Sequence, residues 1–170
     1  MVTGVLGGAL IAGALGGTSC DDNNNSGGVA GTNGFAGVGG RGGGGGTTNA
    51  NTNVYNMQLT GAQEVPMNPS TATATATVTL DRASGAVTVT GSFVGLSSNA
   101  IAAHIHGPAP VGTNAAVLVP LMVPATTSGT VSGTGSMSTV QMDNMINGQT
   151  YINIHSTMFP DGEIRAQIVP

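Results

Sequence analysis

From Thr71 to Leu80 the chain alternates threonine with an apolar residue without a break: Thr-Ala-Thr-Ala-Thr-Ala-Thr-Val-Thr-Leu. A repeat of two is the signature of an extended strand with one buried and one wet face. A helix, at 3.6 residues per turn, would scatter the same apolar positions around its circumference. The β-branched threonines add their own preference for a pleated surface. Asp81-Arg82-Ala83-Ser84-Gly85 reads as a turn. Alternation then resumes from Ala86 to Phe93, with Val87, Val89 and Phe93 on one face. The chain must therefore hold an antiparallel hairpin, and a hairpin needs further strands to cover its apolar face.

Those strands are legible on either side. Val54 to Gln63 reads as a first strand, Ile101 to His106 as a strand ended by Gly107-Pro108-Ala109-Pro110, and Ala115 to Leu121 as a short buried one. Gly129 to Met137, made of Gly, Thr and Ser, suits an edge or a close neighbour. Thr150 to His155 and Glu163 to Val169 close the list, joined by Phe159-Pro160-Asp161-Gly162. One short helix interrupts them. Ser138 and Gln141 have capping-box spacing, Val140, Met142, Met145 and Ile146 follow at helical intervals, and Asn147-Gly148 stops the run. About seven or eight short strands with regular turn signals predict an all-β sandwich or barrel.

Before residue 53 the texture is different. Val5 to Leu15 is an apolar run of signal-peptide length, too short and too rich in glycine to span a bilayer well. Gly16, Gly17, Thr18 and Ser19 lead to Cys20, the sole cysteine. This segment resembles a bacterial lipoprotein signal, which implies export and lipidation at Cys20. It departs from that pattern in having no Lys or Arg ahead of the run, and Gly17 where leucine is usual. Residues 21–52 are Asn, Gly, Ser and Thr around a run of five glycines, Gly42 to Gly46. Such a composition buries too little to offset its ordering entropy, so it is expected to act as a flexible tether with a span of about 30 Å. The expected organisation is residues 1–20 as signal and anchor, 21–52 as tether and 53–170 as the folded domain. The partner this implies is a membrane reached through lipid, at the cell envelope; the alternatives are a plain secretory signal cleaved near Ser19, giving a secreted protein, or a short Gly-rich tail.

Charge excludes other partners. The chain has no lysine, its cations are Arg41, Arg82 and Arg165, and its net charge is -4. Phosphate backbones and anionic lipid surfaces both need clustered basic residues, so nucleic acid is not an expected partner. Schiff-base chemistry lacks a lysine. The Gly37-Val38-Gly39-Gly40-Arg41-Gly42 match to a nucleotide-binding loop has no strand before it and no helix after it, and glycine-rich sequence produces it by chance. No Gly-x-Ser-x-Gly elbow occurs. Nothing in the chain predicts an enzyme.

The remaining chemistry lies in histidines and a few charges. Strand parity puts Ile101, Ala103 and Ile105 on one face and Ala102, His104 and His106 on the other. It likewise opposes Ile152 and Ile154 to Tyr151, Asn153 and His155, and Ile164, Ala166 and Ile168 to Glu163, Arg165 and Gln167. The isoleucine faces are the expected core, which leaves all three histidines of the chain on outward faces. Two readings follow. His104, His106 and His155 form a three-nitrogen site for copper or zinc, since imidazole suits both. Alternatively they are structural, tying loops to strands through hydrogen bonds to backbone. The His-x-His strand with a later strand-borne histidine is similar to the copper site of Cu/Zn superoxide dismutases. That family's bridging histidine is absent, so dismutase activity is not expected. Glu64, Glu163 and Arg165 are expected to form a structural ion pair that fixes the last strand. A glycosidase carboxylate pair is disfavoured because Arg165 would hold a nearby carboxylate ionised. The methionines are scattered and read as core filling.

Four blocks carry a further resemblance: Leu59-Thr60-Gly61-Ala62-Gln63-Glu64-Val65-Pro66, His104-Ile105-His106-Gly107-Pro108-Ala109, Gly148-Gln149-Thr150-Tyr151-Ile152-Asn153-Ile154-His155-Ser156, and Asp161-Gly162-Glu163-Ile164-Arg165-Ala166-Gln167-Ile168. In this order they resemble the CHRD domain, the module named for the repeats of chordin, from about Tyr55 to Ile168. Met67 stands where a second proline is common, and Ala166 where glycine is. The resemblance implies a β-sandwich of immunoglobulin-like or Cu/Zn-superoxide-dismutase-like type. It brings no growth-factor role to this chain. Two functions remain in view: a non-catalytic, surface-tethered binding or structural module, and a copper- or zinc-binding domain open to redox chemistry.

Overall fold

The computed structural model describes residues 51–170. Strands β1 (Thr52–Thr60), β2 (Thr73–Asp81), β3 (Ala86–Val94), β4 (Ala100–His106), β5 (Val117–Leu121), β6 (Gly129–Ser136), β7 (Thr150–Ser156) and β8 (Ile164–Ile168) are joined by loops, a 3-10 turn at Gly61–Gln63 and one helix, α1 (Thr139–Ile146). The expected segment 1–20, with Cys20, and residues 21–50 of the expected tether 21–52 lie outside the described residues, and Thr52 already belongs to β1.

The threonine repeat does what its period requires. β2 pairs with β3 from Thr73↔Val94 to Leu80↔Val87 and with β1 from Thr60↔Thr73 to Thr52↔Asp81. Ala74, Ala76, Val78 and Leu80 are buried while the threonines between them stay at the surface or half-buried. The hairpin turn is fixed by Asp81, whose Oδ1 accepts from the Ala83 amide at 2.8 Å and whose Oδ2 accepts from the Ser84 hydroxyl at 2.8 Å. Gly85 follows at φ 75°, where a side chain would be strained and would also strike the Met137 carbonyl.

The eight strands form one antiparallel sheet in the order β5-β4-β7-β8-β1-β2-β3-β6. All eight contribute to a single apolar cluster, from Leu59 and Val78 through Ile105 and Val131 to Ile152, Ile154, Ile164 and Ile168. The sheet curls around this core until its two outer strands meet. There Met122 and Ser132 exchange backbone hydrogen bonds of 2.7 and 3.1 Å. The expected sandwich is borne out: its halves, β5-β4-β7-β8 and β1-β2-β3-β6, are joined by the single β1–β8 pair Thr60↔Arg165 and meet again at this seam, so the sheet is rolled almost shut. On the β6 side of the seam, Gly133 and Gly135 leave room for Leu121 and Val119 of β5, whose side chains stand 2.8 and 2.7 Å from where a Cβ would be. The Gly/Thr/Ser strand is a close neighbour, not a bare edge.

Helix α1 starts in the expected capping box. The Ser138 amide donates to Gln141 Oε1 at 2.8 Å and the Gln141 amide to Ser138 Oγ at 3.4 Å. A cap of this kind stabilises a helix by about 1 kcal/mol. Met145 is the residue the helix buries. The first strand ends earlier than expected, at Thr60, because Gly61–Gln63 turns as a 3-10 segment.

Candidate metal centre

β4 and β7 are neighbours, and their register sets Ala102 against His155, His104 against Asn153 and His106 against Tyr151. Register was what parity could not supply, and it brings the three histidines together. One nitrogen from each of His104, His106 and His155 lies within 4.8 Å of the others. His104 Nδ1 and His155 Nε2 are 3.1 Å apart.

Two of the three rings are oriented from behind. His106 Nδ1 donates to the Ala115 carbonyl at 2.9 Å, and His155 Nδ1 donates to the Pro160 carbonyl at 2.9 Å. A proton held on Nδ1 leaves a lone pair on Nε2 of each ring. Backbone carbonyls play this part behind metal-bound histidines generally. His106 Nε2 is buried and has no hydrogen-bond partner. Burial depresses the pKa of all three rings, and His106 and His155 also oppose a charge on His104. For His106 the Arg165 charge adds to the depression, while the bond to the Ala115 carbonyl and the nearby Asn153 side chain oppose it. The cluster therefore favours neutral imidazoles, the form that ligates a metal. The same bonds to Ala115 and Pro160 tie two loops to the strands, so the structural role of these rings and a ligand role use different nitrogens.

The face on which they sit is outward from the core, as parity predicts, but it is not open. Every residue of β7 is buried. His106 and His155 are buried and His104 half-buried. The loop from Gly107 to Ala116 lies over one side, and the β7–β8 connection over the other. His104 is the ring through which the cluster reaches solvent.

Tyr151 is central to the loop packing. Its ring stacks on His106 with centroids 4.7 Å apart and planes 3° from parallel. Arg165 Cζ stands 3.4 Å from the centroid of the same ring. Because β7 lies between β4 and β8, the phenol is sandwiched by an imidazole and a guanidinium. Tyr151 Oη also accepts from the Ala115 amide at 3.2 Å.

The expected ion pair does not form as drawn. Arg165 donates to Asn114 Oδ1 at 3.0 Å, the Thr113 carbonyl at 2.9 Å and Gln167 Oε1 at 3.2 Å. It pins the Gly107–Ala116 loop and not a carboxylate. Glu163 precedes β8, after Gly162 at φ 135°, so strand parity does not govern it. Its Oε1 accepts from Ser70 Oγ and the Ser97 amide, each at 2.7 Å. Burial pushes the Glu163 pKa up, but hydrogen bonds from Ser156, Ser70 and Ser97 outweigh it and the pKa falls below the ordinary value. Glu64 goes the other way. Burial raises it to about 7, against the opposing Arg165 charge, the Val65 amide and the Asn153 side chain. Glu64 feels Arg165 through space, but its Oε1 has no hydrogen-bond partner.

Sequence reasoning placed Tyr151 and Asn153 on the face of His155 and drew nothing from it. Ala115 and Pro160 carried no signal, because they act through carbonyls whose positions depend on loop paths.

The domain is thus a nearly closed antiparallel β-fold with an all-imidazole cluster under its loops. The CHRD domain family matches residues 55–168, and the chain belongs to that family. No curated protein and no solved structure matches it. Membership supports a binding module and does not name its ligand.

Proposed function

We propose that the ligand is a metal ion, and that this CHRD domain binds one copper or zinc ion on His104, His106 and His155. The observation that carries the reading is the lone pair of His106 Nε2, buried without a partner on a ring that offers one nitrogen within 4.8 Å of one from each of His104 and His155. A desolvated acceptor left unpaired costs about 1–3 kcal/mol, which a cation would relieve. Three ligands leave a position open on the His104 side for water or an exchanging ligand. The pattern of backbone carbonyls behind two rings fits this role.

Titration of the full chain with Cu(II) and Zn(II), carrying Cys20→Ser so that the thiol does not compete, tests the proposal. His106→Ala and His155→Ala should each weaken binding by more than about a hundredfold, beyond what loss of an orienting group costs. Binding should fall as pH drops through the imidazole range near 6.5 and below, where protons compete for the nitrogens. An affinity no tighter than about millimolar, or one untouched by either substitution, overturns it.

The same proposal sets the module at the cell envelope, on a lipid at Cys20. Intact mass of the mature protein should then begin at Cys20 and include a diacylglycerol addition. Mature protein that retains residues 1–19 counts against the anchor and leaves the metal reading intact.

A further inference from the structure

Among the described residues the methionines differ in burial, with Met142 half-buried against the core. Met57, Met137 and Met145 are buried in the core, as core filling predicts. Met67, Met122 and Met158 are not: they are 75%, 74% and 62% exposed. An unbranched apolar side chain in water calls for a reason, and two of these three share one. Met67 and Met158 line the same cleft, of about 270 Å³, together with Glu64, Pro66, Phe159 and Pro160. Met122 stands elsewhere, at the β5–β6 seam.

The cleft is built and held. Its walls come from the segment after the 3-10 turn and from the β7–β8 connection. Asn68 stitches them together, its Nδ2 donating to the Gly162 carbonyl at 3.2 Å and to the Glu163 carbonyl at 3.0 Å. Glu64, a residue only 6% exposed, contributes a carboxyl group whose Oε1 has no hydrogen-bond partner. Pro160, on the opposite wall, is the residue whose carbonyl orients His155. The cleft therefore adjoins the histidine cluster without sharing a ligand with it.

Two thioethers on one cleft are poor partners for hard cations and for zinc, and good ones for a soft monovalent ion. A cation entering an apolar hollow also needs a negative charge to offset its desolvation, and the Glu64 carboxyl group, one oxygen of which has no hydrogen-bond partner, supplies it on ionising. We propose that this cleft is a second metal site, in which Met67 and Met158 hold a soft monovalent ion of the Cu(I) class through sulfur, with Glu64 balancing its charge. The site goes beyond the three-histidine reading and rests on other side chains. Where both hold, copper is the metal that uses this domain.

Silver(I), which is soft, monovalent and redox-inert, is the probe. It is titrated into the full chain with Cys20→Ser while the methionine methyl resonances are followed by NMR. The Met67 and Met158 methyls should shift together and saturate at one ion, with Met122 unmoved as an internal control of equal exposure. Met67→Leu and Met158→Leu, both at exposed positions, should each weaken silver binding about tenfold or more. His155→Ala should leave the methyl shifts in place. The proposal is overturned if Met67 and Met158 move no more than Met122, or if His155→Ala abolishes silver binding while Met67→Leu does not. Failure of the histidine reading shows separately, in the Cu(II) and Zn(II) titrations.

Discussion

Replacing Arg165 by methionine should cost the domain about 3 kcal/mol, a large share of the 5–15 kcal/mol that holds a typical domain together. Methionine keeps much of the stem's volume, so the loss is not a cavity. It is three acceptors left without a donor, namely the Thr113 carbonyl, Asn114 Oδ1 and Gln167 Oε1. Hydrogen bonds to a charged donor contribute about 1.5–3 kcal/mol each, and they share one guanidinium, so their losses do not add. Removing a charge that is 99% buried, with no bonded carboxylate, gives some of that back. Arg165→Lys should recover little, because an ammonium cannot offer the planar fork or cover the Tyr151 ring. The measurement is a urea unfolding midpoint at constant slope. The loop that Arg165 pins also carries Ala115, which orients His106, so metal affinity should fall about tenfold in the same variant. A midpoint within about 0.5 kcal/mol of the parent would show that the loop holds itself.

Glu64→Gln should do the opposite and stabilise the protein above neutral pH. The folded-state pKa of Glu64 is raised from the ordinary 4.5 to about 7 by burial. Below about 4.5 the group is protonated in both states and its contribution is fully present. As pH rises towards and through 7 the unfolded chain ionises first, and that contribution is lost, with a span of about 3 kcal/mol as an upper figure. Glutamine is neutral throughout. The two proteins should therefore be about equally stable at pH 4, and the variant should lead by about 2–3 kcal/mol at pH 8. The histidines have the reverse sign: depressed pKa values mean that their contribution is present above about 6.5 and lost as pH falls. They are common to both proteins and cancel in the difference. Parallel profiles of unfolding free energy against pH would sink this account of Glu64.

What the sequence discloses here is what local geometry decides. The β2–β3 hairpin follows from a repeat of two and a five-residue turn, and α1 from a capping box with a glycine stop. Parity also sorts the isoleucines of β4, β7 and β8 from the histidines. Parity fails where a residue has left the strand. Glu163 reads as the partner of Arg165 two positions on, but the chain is still leaving its turn at Gly162, and the carboxyl group swings to Ser70 and Ser97. Convergence of the histidines depends on Ala102 meeting His155, a pairing across some fifty residues that no local rule fixes. Cover is equally non-local. Outward faces of β7 are buried because loops from elsewhere fold over them, and sequence gives no measure of where a loop comes to rest.

The rolled sheet has two thin joints. Along β4 and β7 six residue pairs form the ladder, whereas β1 and β8 share the single pair Thr60↔Arg165, and β5 and β6 are joined by the two hydrogen bonds between Met122 and Ser132 and by side chains laid over glycine. Neither joint runs between β4 and β7, so the rungs beneath the imidazoles belong to the continuous half β5-β4-β7-β8. A shell built of two plates and two seams is expected to loosen along the seams before the plates. The three nitrogens ride together on one plate.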